Sequence, residues 1–181
     1  MTCIVGLVDK NSVWLGGDRA ATDGSLDRTL IKEPKIFRKG SIGFGVCGLP
    51  KVMDAIQHAF KLPAYNGGDP KTWLVSDVVP GMRETMKKLE CTFVHNEQQH
   101  FMGAILIAFK GRLFQLEGNF QLVEAARGFD SVGSGAPAAL GSLRETKGAS
   151  RKRILKALAV SAENNAGVAP PFDVIEIKMG K

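Results

Sequence analysis

Residues 101–109, Phe-Met-Gly-Ala-Ile-Leu-Ile-Ala-Phe, constrain this fold more than any other stretch, because the run is almost uniformly apolar and carries no charge. It is too short to cross a bilayer as a helix and reads as a central β-strand covered on both faces. With 181 residues, 44% hydrophobic and 23% charged, the chain has the material for one compact domain, 1–181, with a full core. No apolar run is long enough to span a membrane. The N-terminus also lacks the basic start and long apolar stretch of a signal peptide, so a soluble, cytoplasmic protein is expected.

The periodicity around that strand supplies the other elements. Residues 2–8 are apolar and rich in β-branched side chains, 9–12 carry turn residues and 13–15 resume the run, which predicts a hairpin at the start of the chain. Gly16 and Gly17 close it, and 18–34 mixes Gly, Ser, Thr and charges without a period, as a surface loop does. Strands are expected at 35–37 and 42–46 around a Lys39-Gly40 turn. From Pro50 onward, Val52, Ile56, Ala59 and Phe60 share one helical face, which Pro63 and the 66–70 stretch close. A second stripe of Val75, Val78, Val79, Met82, Met86 and Leu89 predicts another helix, kinked or restarted at Pro80. Gly111 separates the central strand from 113–116, and 122–126 continues the sheet. Past Gly133-Ser134-Gly135, Pro137 opens a short helix, and Ser150 caps a longer one bearing Ile154, Leu155, Leu158 and Ala162. Pro170 and Pro171 stop that helix before a last strand, 172–177. Strands, two helices, strands, two helices and a strand, in that order, suggest helices layered outside two packed, mostly antiparallel sheets.

Thr2 directly follows the initiator methionine, and cells readily remove Met1 ahead of so small a residue. Removal leaves Thr2 with both a hydroxyl and a free α-amine. A Thr hydroxyl is a poor nucleophile until a base takes its proton, and an α-amine of ordinary pKa about 7.7–8.0 is suited to that task. Met-Thr starts many chains, so Thr2 gains meaning only from the residues that accompany it.

Gly16-Gly17-Asp18-Arg19-Ala20-Ala21-Thr22 resembles the Gly-x-Asp-x-x-x-Thr segment of proteasome β-subunits and of the related bacterial ATP-dependent peptidase. Lys35-Ile36 resembles the Lys-Val that follows the loop in that family. Gly45-Val46-Cys47-Gly48 resembles its Gly-Phe-Ala-Gly strand end, and Val132-Gly133-Ser134-Gly135 its Gly-Ser-Gly before the third helix. Order and spacing agree over nearly the whole chain. The resemblance implies an α+β fold, the four-layer αββα sandwich of the N-terminal nucleophile hydrolases, and a threonine-type peptidase that needs neither cofactor nor metal. It makes Thr2 the nucleophile, Asp18 and Lys35 its charged neighbours, Ser134 a hydrogen-bonding partner near the amine, and the Gly48 N–H the oxyanion donor. A lysine ammonium near Thr2 lowers the cost of alkoxide formation, Asp18 holds that lysine, and Gly48 lets a substrate backbone approach closely. Lys32 and Lys39 compete with Lys35 but fit the following strand less well. The resemblance also implies peptide or unfolded-protein substrates, homo-oligomeric ring assembly and often an unfolding ATPase partner.

Each of these residues has a plainer reading alone: Asp18 a strand-end carboxylate, Lys35 a solvated strand lysine, Ser134 a helix cap and Gly48 a helix-entry glycine. The sequence also departs from the family in the last long helix, where Asp and then Ser often stand. A gapless comparison puts Asn165 and Val168 there, which implies a differently tuned amine network, since Asn can accept a hydrogen bond but brings no charge. A small-amide hydrolase of the same fold and a catalytically inactive structural relative are the alternatives.

The other signals point to bland roles. Cys3, Cys47 and Cys91 are odd in number and lack paired CxxC spacing, as reduced thiols do. Cys3 could act as an N-terminal nucleophile only if Thr2 were removed as well. His95, Glu97 and His100 lack the Pro-Cys-x-x-Cys of a zinc deaminase and read as a polar loop. The 45–48 stretch lacks the Gly-Lys-Ser/Thr of a phosphate loop. A net charge of +6 leaves room for an acidic partner. The basic run Arg144, Lys147, Arg151, Lys152, Arg153 and Lys156 reads as a solvated helix face, and without interleaved aromatics it argues against nucleic-acid binding.

Overall fold

The computed structural model describes residues 1–10, 12–22 and 27–180. The chain runs through β1 (Ile4–Asp9), β2 (Ser12–Asp18), β3 (Ala20–Thr22), β4 (Arg28–Leu30), β5 (Ile36–Lys39) and β6 (Ile42–Gly48) into α1 (Pro50–Asp54), α2 (Pro70–Trp73) and α3 (Val79–Lys88). It continues through β7 (Thr92–His95), β8 (Gln98–Phe101), β9 (Gly103–Phe109), β10 (Arg112–Leu116), β11 (Leu122–Glu124) and β12 (Phe129–Val132) to α4 (Ala136–Glu145), α5 (Ser150–Asn164) and β13 (Phe172–Lys178). One sheet has the order β12-β1-β2-β13 and the other β11-β10-β9-β6-β5, every neighbouring pair being antiparallel.

Strand alternation turns these two sheets into four layers. On β1, Ile4 faces the second sheet while Val5 and Leu7 face α4 and α5; on β9, Leu106 and Ala108 face the first sheet while Ile105, Ile107 and Phe109 face α1 to α3. Three apolar clusters therefore separate helices, sheet, sheet and helices, which is the expected α+β, αββα sandwich. The apolarity of 105–109 has its reason here, because both faces of β9 are covered.

The departures from the sequence reading have local causes. β2 continues through Gly16 and Gly17 to Asp18 because β13 pairs along it, from Phe172↔Asp18 to Lys178↔Ser12. Asn11, in the expected turn between β1 and β2, lies outside the described residues. The expected surface loop at 18–34 contains the hairpin of β3 and β4, with Ala20 opposite Leu30; residues 23–26 lie outside the described part. The run 101–109 is not one strand. Phe101 ends β8, which forms a hairpin with β7 where a polar loop was expected, and Gly103 turns the chain with φ +138° into β9. Hydropathy cannot register a change of backbone direction between apolar residues.

The second helix starts at Pro70, capped by Asp69, whose carboxylate accepts the Thr72 N–H at 2.8 Å. A π-helical turn, Leu74–Val78, joins α2 to α3. Its wider turn lies just ahead of Pro80, which has no N–H to offer an α-helical ladder, and it rotates the buried face so that Leu74 is buried and Val75 exposed. A second π turn, Ala55–Ala59, extends α1. Ser150 is the first residue of α5 and not its cap: its hydroxyl donates to Asp9 Oδ2 at 2.6 Å, tying the helix to the end of β1. α5 ends at Asn164, well before Pro170.

Candidate active site

Asp18 ends β2 opposite Cys3 and is fully buried. Its Oδ1 accepts the Cys3 N–H at 2.9 Å and its Oδ2 the Ala20 N–H at 2.9 Å, so the strand end fixes the carboxylate before any cation arrives. Lys35 stands immediately before β5, where its carbonyl accepts the Val46 N–H at 2.9 Å. The Lys35 ammonium donates to Asp18 Oδ1 at 3.0 Å, to the Ala20 carbonyl at 2.5 Å and to Thr2 Oγ1 at 3.0 Å. Three N–H groups thus meet three acceptors, in a pair with side-chain exposures of only 7% and 0%. Neither Lys32 nor Lys39 takes this place: Lys39 donates to the Gln57 carbonyl, and Lys32 is exposed, with its carbonyl accepting from Arg19.

Gly133-Ser134-Gly135, between β12 and α4, wraps Thr2 from the other side. The Thr2 N–H donates to Ser134 Oγ at 3.3 Å and the Thr2 carbonyl accepts the Gly135 N–H at 3.2 Å. Gly133 has φ +100°, and a Cβ there would sit 2.2 Å from the Thr2 carbonyl oxygen, so only glycine allows this approach. Ser134 donates in turn to Asn165 Oδ1 at 3.4 Å, and Asn165 Nδ2 returns a bond to the Ser134 carbonyl at 3.1 Å. Asn165 is just beyond α5 and not within it, and Val168 is buried in the cluster under α4 and α5.

Gly48 lines the same pocket as Thr2. Its φ of +127° and the Met102 carbonyl oxygen, 2.1 Å from where a Cβ would lie, make glycine a requirement of the chain's own β9 crossing.

No protein-family model matches this sequence, and neither does any curated protein sequence. Solved structures match it closely in shape. BPH from Thiobacillus denitrificans, in complex with epoxomicin, aligns at TM-score 0.83 and 15% identity over 99% of this chain and 100% of that one. Eukaryotic HslV from Trypanosoma brucei aligns at TM-score 0.68 and 15% identity over 97% and 99%, and Anbu (ancestral beta-subunit) from Yersinia bercovieri at 0.69 and 12% over 97% and 81%. The fold is that of the proteasome-like N-terminal nucleophile hydrolases.

Within this proteasome-like fold, the other five residues singled out from the sequence lie around Thr2: Asp18, Lys35 and Ser134 bond within its immediate surroundings, Asn165 bonds Ser134, and Gly48 shares the pocket. Others were missed. The Ala20 carbonyl takes the third lysine proton, although Ala20 sat inside the quoted motif without a role. Ser161 is fully buried and donates to the Gly135 carbonyl at 2.8 Å, holding the loop that wraps Thr2. Its sequence signal was available, since it continues the buried stripe of Ile154 and Leu158 at helical spacing. Arg19 makes a bidentate pair with Asp173 of β13, both bonds 2.7 Å, and donates to the Lys32 carbonyl at 2.5 Å, so it ties together the segments that carry Asp18 and Lys35.

The thiols nearby are quiet. Burial pushes the Cys47 thiol up against the opposing pull of the Lys35 charge, and burial likewise raises Cys3 despite its Ser161 and Ser131 contacts. Met1 also lines the pocket. Its amino group donates to Thr22 Oγ1 at 2.7 Å, and its carbonyl accepts the Thr2 hydroxyl at 2.6 Å. Among the described residues no group of three or more His, Cys, Asp or Glu side chains is placed to hold a metal, and no helix is long and apolar enough to cross a membrane.

Proposed function

We propose that this chain is a threonine-type peptidase in which Thr2, freed from Met1, attacks a peptide carbonyl and carries the acyl group as an ester. The observation that carries this reading is the Lys35 ammonium 3.0 Å from Thr2 Oγ1, with its other bonds taken by Asp18 and Ala20. A cation fixed there favours alkoxide character on Oγ1 and disfavours protonation of a neighbouring amine. The free α-amine then takes the hydroxyl proton as Oγ1 bonds to the carbonyl carbon. The Gly48 N–H stabilises the resulting oxyanion, a donor of a kind that contributes about 2.7–4 kcal/mol. The ammonium returns its proton to the departing amine, and water activated by the same group hydrolyses the ester. Ser134, backed by Asn165, orients the α-amine.

With Met1 attached, the Thr2 nitrogen is an amide with no base to offer, so removal of Met1 precedes activity. The test is the intact mass of the protein before and after exposure to a peptide epoxyketone, a class that needs both the hydroxyl and the amine of an N-terminal threonine. The expected result is loss of Met1 and one adduct, abolished by Thr2→Ala. Folded protein that lacks Met1 and forms no adduct refutes the reading. That outcome would favour a catalytically inactive relative, for which the neutral Asn165 behind Ser134 is the supporting observation.

The same reading carries peptides or unfolded proteins as substrates, a cytoplasmic location, and a homo-oligomeric ring with an unfolding ATPase as partner. Native mass spectrometry tests the ring, and a monomer at micromolar concentration speaks against it.

A further inference from the structure

We propose that the basic end of the α4–α5 helix pair, with the groove beside it, is a docking surface for an acidic protein segment that carries a large apolar residue; the proposal is independent of the chemistry at Thr2. Five of the chain's six net positive charges lie in residues 144–156, where Arg144, Lys147, Arg151, Lys152, Arg153 and Lys156 stand against Glu145 alone. α4 ends at Glu145 and α5 begins at Ser150. Arg153 of α5 donates to the Leu143 carbonyl of α4 at 2.8 Å, so the last turn of one helix and the first turn of the other present these cations together. Arg144, Lys147, Arg151, Lys152 and Lys156 are exposed, and among the described residues none of the six is in an ion pair. The nearby Asp9 carboxylate is already engaged by the Ser150 hydroxyl and the Lys10 N–H. Helix stability does not call for this arrangement: Arg151, Lys152 and Arg153 fill the first turn of α5, where the helix dipole is positive and no acidic residue offsets them. A merely solvated helix face would carry mixed charges, whereas this one is kept positive against the dipole.

The groove adds shape to the charge. It is a cavity of about 340 Å³ between the β11–β12 segment and α4, with Phe129, Leu140 and Gly141 among its walls and Arg127 and Arg144 supplying cations. Of the two carboxylates that line it, Glu124 is held by Arg112 in bonds of 2.8 and 2.5 Å, and Asp130 accepts the Ser131 N–H at 2.8 Å. Packing does not explain Gly141. It stands inside α4, where glycine is among the poorest helix formers, and a Cβ there would meet no atom within 4 Å. Alanine would suit the helix better and would fit. What glycine provides is an open strip of helix backbone that another chain can approach closely. An occupant that crosses Gly141, seats an apolar side chain against Phe129 and Leu140, and turns carboxylates toward Arg127, Arg144 and the first turn of α5 meets every feature of this surface. A second copy of this chain brings the same cations against themselves. A polynucleotide brings the charge but finds no aromatic side chain within 144–156 to stack on.

The experiment follows the fluorescence anisotropy of a labelled peptide of Asp and Glu residues around one central Leu, titrated with the full chain at physiological ionic strength. The same peptide with Ser in place of Leu, and an oligothymidylate of equal charge, are titrated beside it. The Leu peptide is expected to bind at least about tenfold more tightly than the Ser peptide, and to weaken as salt rises. Arg144→Glu combined with Lys152→Glu is expected to weaken it at least about tenfold. Gly141→Leu, which fills the groove, is expected to weaken it at least about threefold, and Gly141→Gln serves if that variant fails to fold. Equal binding of the Leu and Ser peptides, binding that survives the charge reversal, or tighter binding of the oligothymidylate overturns the proposal. So does the absence of any binding to folded protein at millimolar concentration.

Discussion

Replacing Asp18 by alanine removes the counter-charge of Lys35 and strands what it held. The Lys35 ammonium has a side-chain exposure of 7% and would keep only the Ala20 carbonyl and the Thr2 hydroxyl as partners, neither of them negative. Breaking a buried ion pair by removing one partner costs about 3–5 kcal/mol, because the remaining charge is desolvated without compensation. The Cys3 and Ala20 N–H groups lose their acceptor as well, which adds to the cost where no water reaches them. For a chain of this size each kcal/mol moves the melting temperature by about 2–4 °C, so a drop of about 6–20 °C is expected by calorimetry. Lys35→Met alone removes the cation but leaves the carboxylate its two backbone donors. Combined with Asp18→Asn, which brings no charge and still accepts a hydrogen bond, it should recover at least about 1–2 kcal/mol over Asp18→Ala in urea unfolding. An Asp18→Ala protein that unfolds within about 1 kcal/mol of the parent would refute the claim that this pair holds a buried charge. The double variant should nonetheless be unable to form the epoxyketone adduct, which separates the stability of the pair from its use.

Three further outcomes follow from the geometry. Asn165→Asp puts a negative charge behind Ser134, which favours the protonated form of the Thr2 amine; the acid limb of the rate profile should move to higher pH, and an unchanged profile and rate would sink the tuning idea. Gly48→Ala forces a Cβ to 2.1 Å from the Met102 oxygen at φ +127°, and should cost more than about 1 kcal/mol in urea unfolding as well as activity. Arg112 holds the Glu124 carboxyl below its usual range, and the Thr72 N–H, followed by Arg112, does the same for Asp69. Stability from these groups is therefore present above the ordinary carboxylate range and is lost as pH falls through their lowered values, so Arg112→Gln should lower the melting temperature modestly near pH 7 and converge with the parent as pH falls, which flattens the acid side of the profile.

Much of the architecture was legible because the alternation that puts a side chain on one face of a strand is a local property. A covered strand within 101–109 and the strand and helix order follow from it, whereas Thr2, Asp18, Lys35, Gly48, Ser134 and Asn165 were singled out by the resemblance of ordered motifs to a known family. Misreadings arose where pattern is blind to backbone direction or register, as at Met102 and Gly103 and in the π turn that exchanges Val75 for Leu74. Residue types and their faces are written along the chain, but convergence is not. Lys35 reaches Thr2 across 33 residues and Ser134 reaches it across 132, distances that only the pairing of β1 with β2 and β12, and the packing of one sheet on the other, can close. Ser161, the Ala20 carbonyl and the groove beside Gly141 became visible for the same reason: what surrounds a side chain is set by which strands pair and which faces meet, and that is decided by tertiary structure.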